Sequence, residues 1–468
     1  MYFRIYIILY AEWAKAILIN HVSLFGIMDV FNKFTGHLLR SYDTSDRASM
    51  GRVINQARSA FGTAGTLTVN ERTEALEKML DRVERDRDSL SILISEETGK
   101  PVSLSLEEIQ RTSIVINTAI QTLHRGFGGS LNSTLNQSPG TYAFHRKFSR
   151  GTVAGTADCG DPLYRSALKI CASIVTGNSM LLFPSRSAPS PSLKLISYLE
   201  ETAIPQYTIQ AILTEETEVL DFLGTEAEIA SGSWKPVFDR EEFRSFGMLE
   251  RFESKTGNRN VIIWKDADLD SAAESITGSI FNACGGNYIR SMKVIIHSDV
   301  FEYIVNRFME LMSSMKVGDP FNPDTDIGPM IHGSIVSRTS EILRREIETG
   351  AFPIMDLNIE GPFIHPVLLD STGTRGPLSE DGVFGPVISV YKVDSLQEIV
   401  DLFSVRPEGE TSSLYTSDIN IVKSLFERSR LSSLDVNREP FTSPEHFQVN
   451  FMSEVNSDLY TGESVLYL

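Results

Sequence analysis

The sequence predicts an α/β protein built on parallel sheets with crossover helices, and three observations carry that expectation. Short apolar strands at Thr152–Ala157 and residues 179–183 alternate with helical runs at residues 167–175 and 192–202. A second alternating α/β region runs from about residue 261 to residue 436. Ahead of both, apolar residues recur at helical spacing after Asp43, so a helical layer precedes the sheets.

Ile54, Ala57, Ala60 and Phe61 mark a first helix, and an apolar run over residues 72–94 marks a second. Asn70 and Glu71 are its expected start. Gly99-Lys100-Pro101 closes it, because glycine permits a left-handed turn and proline forbids continuation. A third helix is expected over residues 104–123. Residues 125–150 are rich in Gly, Ser, Asn and Thr and then alternate through Tyr142, Phe144 and Phe148, a loop followed by strands. At 468 residues the chain suits two or three domains, each with its own core.

An apolar fraction of 41% and a charged fraction of 22% are those of an ordinary folded protein. The formal charge of −18 disfavours nucleic acid and anionic membrane, so neither is an expected partner. The cysteines, Cys159, Cys171 and Cys284, are odd in number and sparse, which points to a reducing cytoplasm rather than a disulfide framework. They lack zinc-site spacings and the eight histidines do not cluster, so no metal is expected. Arg4, Glu12 and Lys15 interrupt the apolar start, which is too charged to span a bilayer and lacks a small-residue cleavage site.

Seven short motifs in order resemble the aldehyde dehydrogenase superfamily: Asn32-Lys33-Phe34-Thr35-Gly36, similar to N-P-x-T-G; Glu96-Glu97-Thr98-Gly99-Lys100-Pro101; Thr176-Gly177-Asn178; Asp266-Ala267-Asp268-Leu269-Asp270; Val317-Gly318-Asp319-Pro320 with Ile327-Gly328-Pro329; Gly361-Pro362-Phe363-Ile364-His365-Pro366; and Val383-Phe384-Gly385-Pro386-Val387. The resemblance covers roughly residues 29–437 and implies three parts. Residues 28–124 and 150–254 would form a Rossmann-like cofactor domain, and 255–439 a catalytic-type α/β domain. Residues 125–149 with 440–468 would form an oligomerisation arm, and residues 1–27 are an unmatched extension. Also implied are NAD or NADP as cofactor and a cysteine thiolate that attacks an aldehyde.

The site positions depart from that pattern. Where the family carries F-N-x-G-Q-x-C, this chain reads Phe281-Asn282-Ala283-Cys284-Gly285-Gly286-Asn287-Tyr288, which puts Asn287 or Tyr288 at the nucleophile position and Cys284 three or four residues early. Neither an amide nor a phenol attacks a carbonyl unaided. The P-W-N-x-P segment becomes Asp158-Cys159-Gly160-Asp161-Pro162, so Gly160 replaces the asparagine that donates to the developing oxyanion. Cys159 reads as a packing residue, and Glu253 aligns with the general base only with one residue inserted after it. The K-P-S-E segment becomes Phe183-Pro184-Ser185-Arg186, without the ribose-binding lysine and glutamate. Arg186 is either a partner for a 2′-phosphate or a solvated turn residue. Gly382 replaces a second ribose-binding glutamate beside Phe384, while Gly232-Ser233 keeps a helix-opening turn suited to phosphate.

An impaired or inactive member of the family is therefore expected, retained as a scaffold or as partner subunit of an active relative. Two alternatives stand: an NAD(P)-dependent aldehyde oxidoreductase using Cys284 or Cys159 with Glu253, and a nucleotide or metabolite binder using Gly232 and Ser233. Strands at 125–149 and in the tail around Val465 and Tyr467 predict a homo-oligomer, or a hetero-oligomer with an active homologue. Met28 stands at the edge of the resemblance and is the expected initiator. Expression from Met28 should give soluble protein with an unchanged melting temperature, and aggregation would count against it.

Overall fold

A computed structural model of the chain describes residues 26–45, 47–125, 128–132, 142–157, 159–214, 259–281, 292–374, 376–378, 383, 385–403, 411–429, 431, 433–438 and 461–467. It begins with a hairpin of β1 (Ile27–Phe31) antiparallel to β2 (Leu38–Asp43), in which Met28 lies opposite Tyr42. Pairing starts ahead of Met28, with Ile27 opposite Asp43 and the Gly26 carbonyl accepting the Thr44 N–H. The Asn32–Gly36 motif is the turn between them. The Asn32 side-chain oxygen accepts the N–H groups of Phe34 and Thr35, and its carbonyl accepts that of Gly36.

Four helices follow: α1 (Arg47–Ala64), α2 (Val69–Arg85), α3 (Arg87–Thr98) and α4 (Val102–Arg125). Two sequence expectations are corrected here. The second helix is capped by Thr68, not started by Asn70: Thr68 and Glu71 exchange the reciprocal bonds of a capping box. The run over residues 72–94 is two helices, because Asp86 leaves helical geometry at φ −89° and ψ 11°. Leu76, Met79, Val83, Leu90 and Ile94 still face one core, so periodicity cannot reveal the break. Asp86 instead accepts a hydrogen bond from the Tyr198 hydroxyl, a partner far along the chain.

β3 (Gly128–Asn132) and β4 (Tyr142–Ser149) join β17 (Thr461–Tyr467) in an antiparallel sheet of order β17-β4-β3, so the tail pairs with the middle of the chain. β5 (Thr152–Ala157), β6 (Ser179–Pro184) and β7 (Ile209–Ala211) form a parallel sheet, with α5 (Pro162–Thr176) crossing from β5 to β6. Met180 and Leu182 of β6 and Ile170 and Ile174 of α5 share a core with α2, α3 and α4. The helix expected over 192–202 is α6 (Ser190–Ser197), shorter at its C-terminal end because turns replace it after Ser197.

The second α/β region contains β8 (Arg259–Ile263), α7 (Leu269–Phe281), β9 (Met292–His297), α8 (Phe301–Ser313) and α9 (Gly333–Glu348). After the short strands β10 (Phe352–Pro353), β11 (Ile359–Glu360) and β12 (Phe363–Ile364) come β13 (Val367–Asp370), β14 (Val387–Val393) and α10 (Leu396–Phe403). β15 (Thr411–Tyr415), α11 (Ile419–Arg428) and β16 (Ser433–Val436) complete it. The seven-stranded sheet has the order β10-β13-β14-β9-β8-β15-β16, and only β10 is antiparallel to its neighbour. Alternate residues face opposite sides: Val261, Ile263, Val294 and Ile296 pack on α7, α8 and α9, while Ile262, Ile295 and Leu414 pack with Trp264, Ile399 and Leu425. Among the described residues no helix is long and apolar enough to cross a membrane.

Two motifs distant in sequence form one contact between these layers. Gly99 ends α3 at φ 83°, and a β-carbon added there would lie 2.5 Å from the Pro329 carbonyl oxygen. A β-carbon on Gly328 would lie 1.8 Å from the Gly99 carbonyl oxygen. The Val102 N–H donates to the Pro320 carbonyl at 3.0 Å, and Phe34 meets Phe363 edge-on.

Beside Gly99 lies a buried ionic cluster. The Lys100 amine donates to Glu108 at 2.7 Å and to Asp161 at 3.0 Å, and Arg111 reaches Asp161 at 3.1 Å. Asp161 precedes α5 but makes no capping bond with its side chain. Glu108 caps the helix from α4, accepting the N–H groups of Leu163 at 2.7 Å and Tyr164 at 3.1 Å. Burial pushes both carboxyls up. For Asp161 the charges of Arg111 and Lys100 outweigh burial and hold it well below the usual carboxylate range. For Glu108 burial prevails over Lys100.

Gly328→Ala should cost about 2–4 kcal/mol, read as a lower denaturant midpoint, because backbone and not a mobile side chain occupies the space. Asp161→Ala should cost about 3 kcal/mol or more, since it leaves buried cations short of a partner. With its folded-state pKa below its unfolded value, Asp161 contributes stability that is present above about pH 4 and lost as pH falls through the folded value. The stability gap between the wild type and Asp161→Ala should therefore narrow in strong acid. A gap unchanged at low pH would contradict the ionised assignment.

Candidate active site

The segment that resembles the oxyanion-binding loop leaves the end of β5 and enters α5. Gly160 is buried there and brings no side-chain donor. Cys159 is 3% exposed and belongs to the apolar cluster of the seven-stranded layer, with Val261, Ile263 and Ala272. Its thiol is not in a disulfide. Cys171 is buried within α5, and burial pushes its thiol up, so it stays protonated and acts in packing.

Ser185 and Arg186 follow β6, at the sheet end where doubly wound folds bind ligands. Ser185 is buried and its hydroxyl accepts the Ser187 N–H at 3.2 Å, a local turn bond. Phe183, in the place of the ribose-binding lysine, is 1% exposed. A buried phenyl ring offers nothing to a ribose diol, and the guanidinium of Arg186 suits an anion better than two hydroxyls. The described residues here do not fit the adenosine ribose as the resembling segment would hold it. Glu253, Cys284, Asn287, Tyr288, Gly232, Ser233, Gly382 and Phe384 lie outside the described residues.

The structure adds two residues that sequence reading did not single out. Glu97 is fully buried at the end of α3 and is bonded by the backbone N–H and hydroxyl of Ser190 and by Arg40 at 3.2 Å. Burial raises its carboxyl above the ordinary value, against these bonds and the charges of Arg40 and Lys33. Lys33, in the hairpin turn, has its N–H on the Glu96 carbonyl at 3.0 Å. Burial lowers its amine to about 8, with Glu97 and Cys159 opposing. The available signal was the lysine itself, standing where the resembling motif has proline.

The sequence profile of the aldehyde dehydrogenase family matches residues 23–452. The D-glyceraldehyde dehydrogenase (NADP(+)) of Thermoplasma acidophilum is 26% identical over 422 residues, 88% of this chain and 85% of that protein. The 3-sulfolactaldehyde dehydrogenase of Priestia megaterium is 25% identical over 416 residues, 88% of this chain and 86% of its own. The fold is similar to that of a lactaldehyde dehydrogenase, with a TM-score of 0.81 at 21% identity over 96% of each chain. It also resembles the glyceraldehyde-3-phosphate dehydrogenase of Methanocaldococcus jannaschii, solved with NADP, with a TM-score of 0.81 at 17% identity over 96% of this chain and all of that one (100%). With a profile matched across most of its length and this fold, the chain belongs to the aldehyde dehydrogenase family.

Proposed function

We propose that this member of the family is catalytically impaired or inactive and serves as a scaffold or partner subunit. The observation that carries the reading is Gly160, buried at the start of α5 where the family's oxyanion-binding asparagine would stand. Loss of one such donor lowers turnover by about 10²- to 10³-fold. Phe183 and Arg186 add a second deficit, on the cofactor side, and Asn287 or Tyr288 at the nucleophile position a third. A partner role is supported by the sheet of order β17-β4-β3, whose outer strands, among the described residues, each have one ladder edge to offer another chain.

The relatives favour a second reading, an active oxidoreductase that converts an aldehyde to an acid with NAD or NADP. NADP stands in the name of the Thermoplasma relative, and the nucleophile would be Cys284 or Cys159 with Glu253 as base. The discriminating measurement is nicotinamide fluorescence of the full chain with NAD or NADP and a panel of aldehydes that includes glyceraldehyde. Turnover should be absent or at least about 10²-fold below an active family member. Vigorous turnover abolished by Cys284→Ala would overturn the impaired reading and establish the relocated nucleophile.

A further inference from the structure

A cleft lies apart from the β5–α5 loop, on the face where α3, α6 and β2 meet. Its volume is about 590 Å³, the size of a small-molecule site, and it opens to solvent. The two helices run antiparallel along it. Ser190 at the start of α6 bonds Glu97 at the end of α3, and Lys194, one turn on, approaches Asp86 at the start of α3. Leu90, Leu93 and Leu193 line the cleft with Ile92, which is 47% exposed. Arg40 and Tyr42 of β2 stand at the end beside Ser190.

The polar groups of the cleft are unequally engaged. Ser89 and Ser197 donate to the carbonyls of Asp86 and Lys194, Ser190 donates to Glu97, and the Tyr42 hydroxyl is bonded to Ser190. These hydroxyls are committed within the protein. Arg40 gives one N–H to Glu97 at 3.2 Å and lies 3.9 Å from Glu96, so most of its guanidinium N–H groups are unbonded among the described residues. The Lys194 ammonium makes no hydrogen bond among those residues, since Asp86 is 3.8 Å away and already accepts from Tyr198 at 2.7 Å. Two cations with spare donors therefore face an apolar wall, and Glu96 is the carboxylate that lines it with them.

We propose that this cleft binds a small amphipathic carboxylic acid, with its carboxylate on Lys194 and Arg40 and its apolar chain along Leu90, Leu93 and Leu193. Lys194 is the principal head-group residue, because Arg40 is shared with Glu96 and Glu97. A hydrogen bond between ionised groups is about twice as strong as a neutral one, so the cations favour a carboxylate over an alcohol. An amine would meet both as like charges. The apolar wall selects for a tail, since each methylene buried against it strengthens binding about fourfold. None of the lining residues belongs to the β5–α5 loop, so the site stands or fails apart from the impaired reading.

The test is calorimetric titration of the full chain with octanoate, and with 1-octanol and hexanoate as matched probes. Octanoate should bind saturably, about 10-fold more tightly than 1-octanol and about 10-fold more tightly than hexanoate. Lys194→Gln should weaken octanoate about 10-fold while leaving 1-octanol unchanged. Ile92→Glu, which sets a carboxylate into the cleft from an exposed helical position, should abolish octanoate binding. Absence of saturable binding would overturn the proposal. So would 1-octanol binding as tightly as octanoate, or octanoate binding unchanged in both variants. The comparison among probes is made on the native chain, so it does not depend on any variant folding.

Discussion

Lys100, at 2% exposure, holds two carboxylates that the chain brings from opposite directions: Glu108 from α4 and Asp161 from the loop before α5. A charge buried to that degree costs several kcal/mol unless it is met, so the three residues set one another's positions. Arg111 joins from one turn after Glu108, and the other oxygen of Glu108 closes the first turn of α5. The helical layer and the β5–α5 crossover are thereby locked at one point. Gly99, the residue before Lys100, presses backbone to backbone on Gly328, so the same corner also sets where the seven-stranded layer sits.

This arrangement allows the fold to persist under the altered chemistry that we propose for this chain. The architecture rests on buried charges, close glycine contacts and two-sided sheet cores, and the residues that make them are present. The chemistry would rest on single side chains projecting from loops, and a loop residue can change with little effect on packing. Gly160 fits beside Cys159 and Asp161 without disturbing α5, because the helix is capped by Glu108 and not by its own loop. Substitution at the oxyanion position is thus structurally cheap.

The alternation of faces and the left-handed glycine that ends α3 follow from local rules, and both were legible in the residues. Other features were hidden because their causes lie elsewhere in the chain. The break at Asp86 is met by the Tyr198 hydroxyl from far along the chain, and the start of α2 belongs to Thr68 because its bonds with Glu71 close the capping box. The positions where the chain departs from the family's chemistry could be read by counting along the motifs, but what surrounds them could not.

By itself the sequence determined that the chain is an α/β protein with two sheet regions, and, counted along the motifs that resemble the family's, it put other residue types at several site positions, since periodicity and residue type are local properties. Only the tertiary structure decided that Gly99 and Gly328 meet, that Glu108 caps a helix more than fifty residues away, and that Glu97 is buried and held by Ser190 and Arg40. The physical reason is the same in each case. Burial, capping across elements and pairing of charges are set by which surfaces are pressed together, and that is a property of the packed layers and not of any segment.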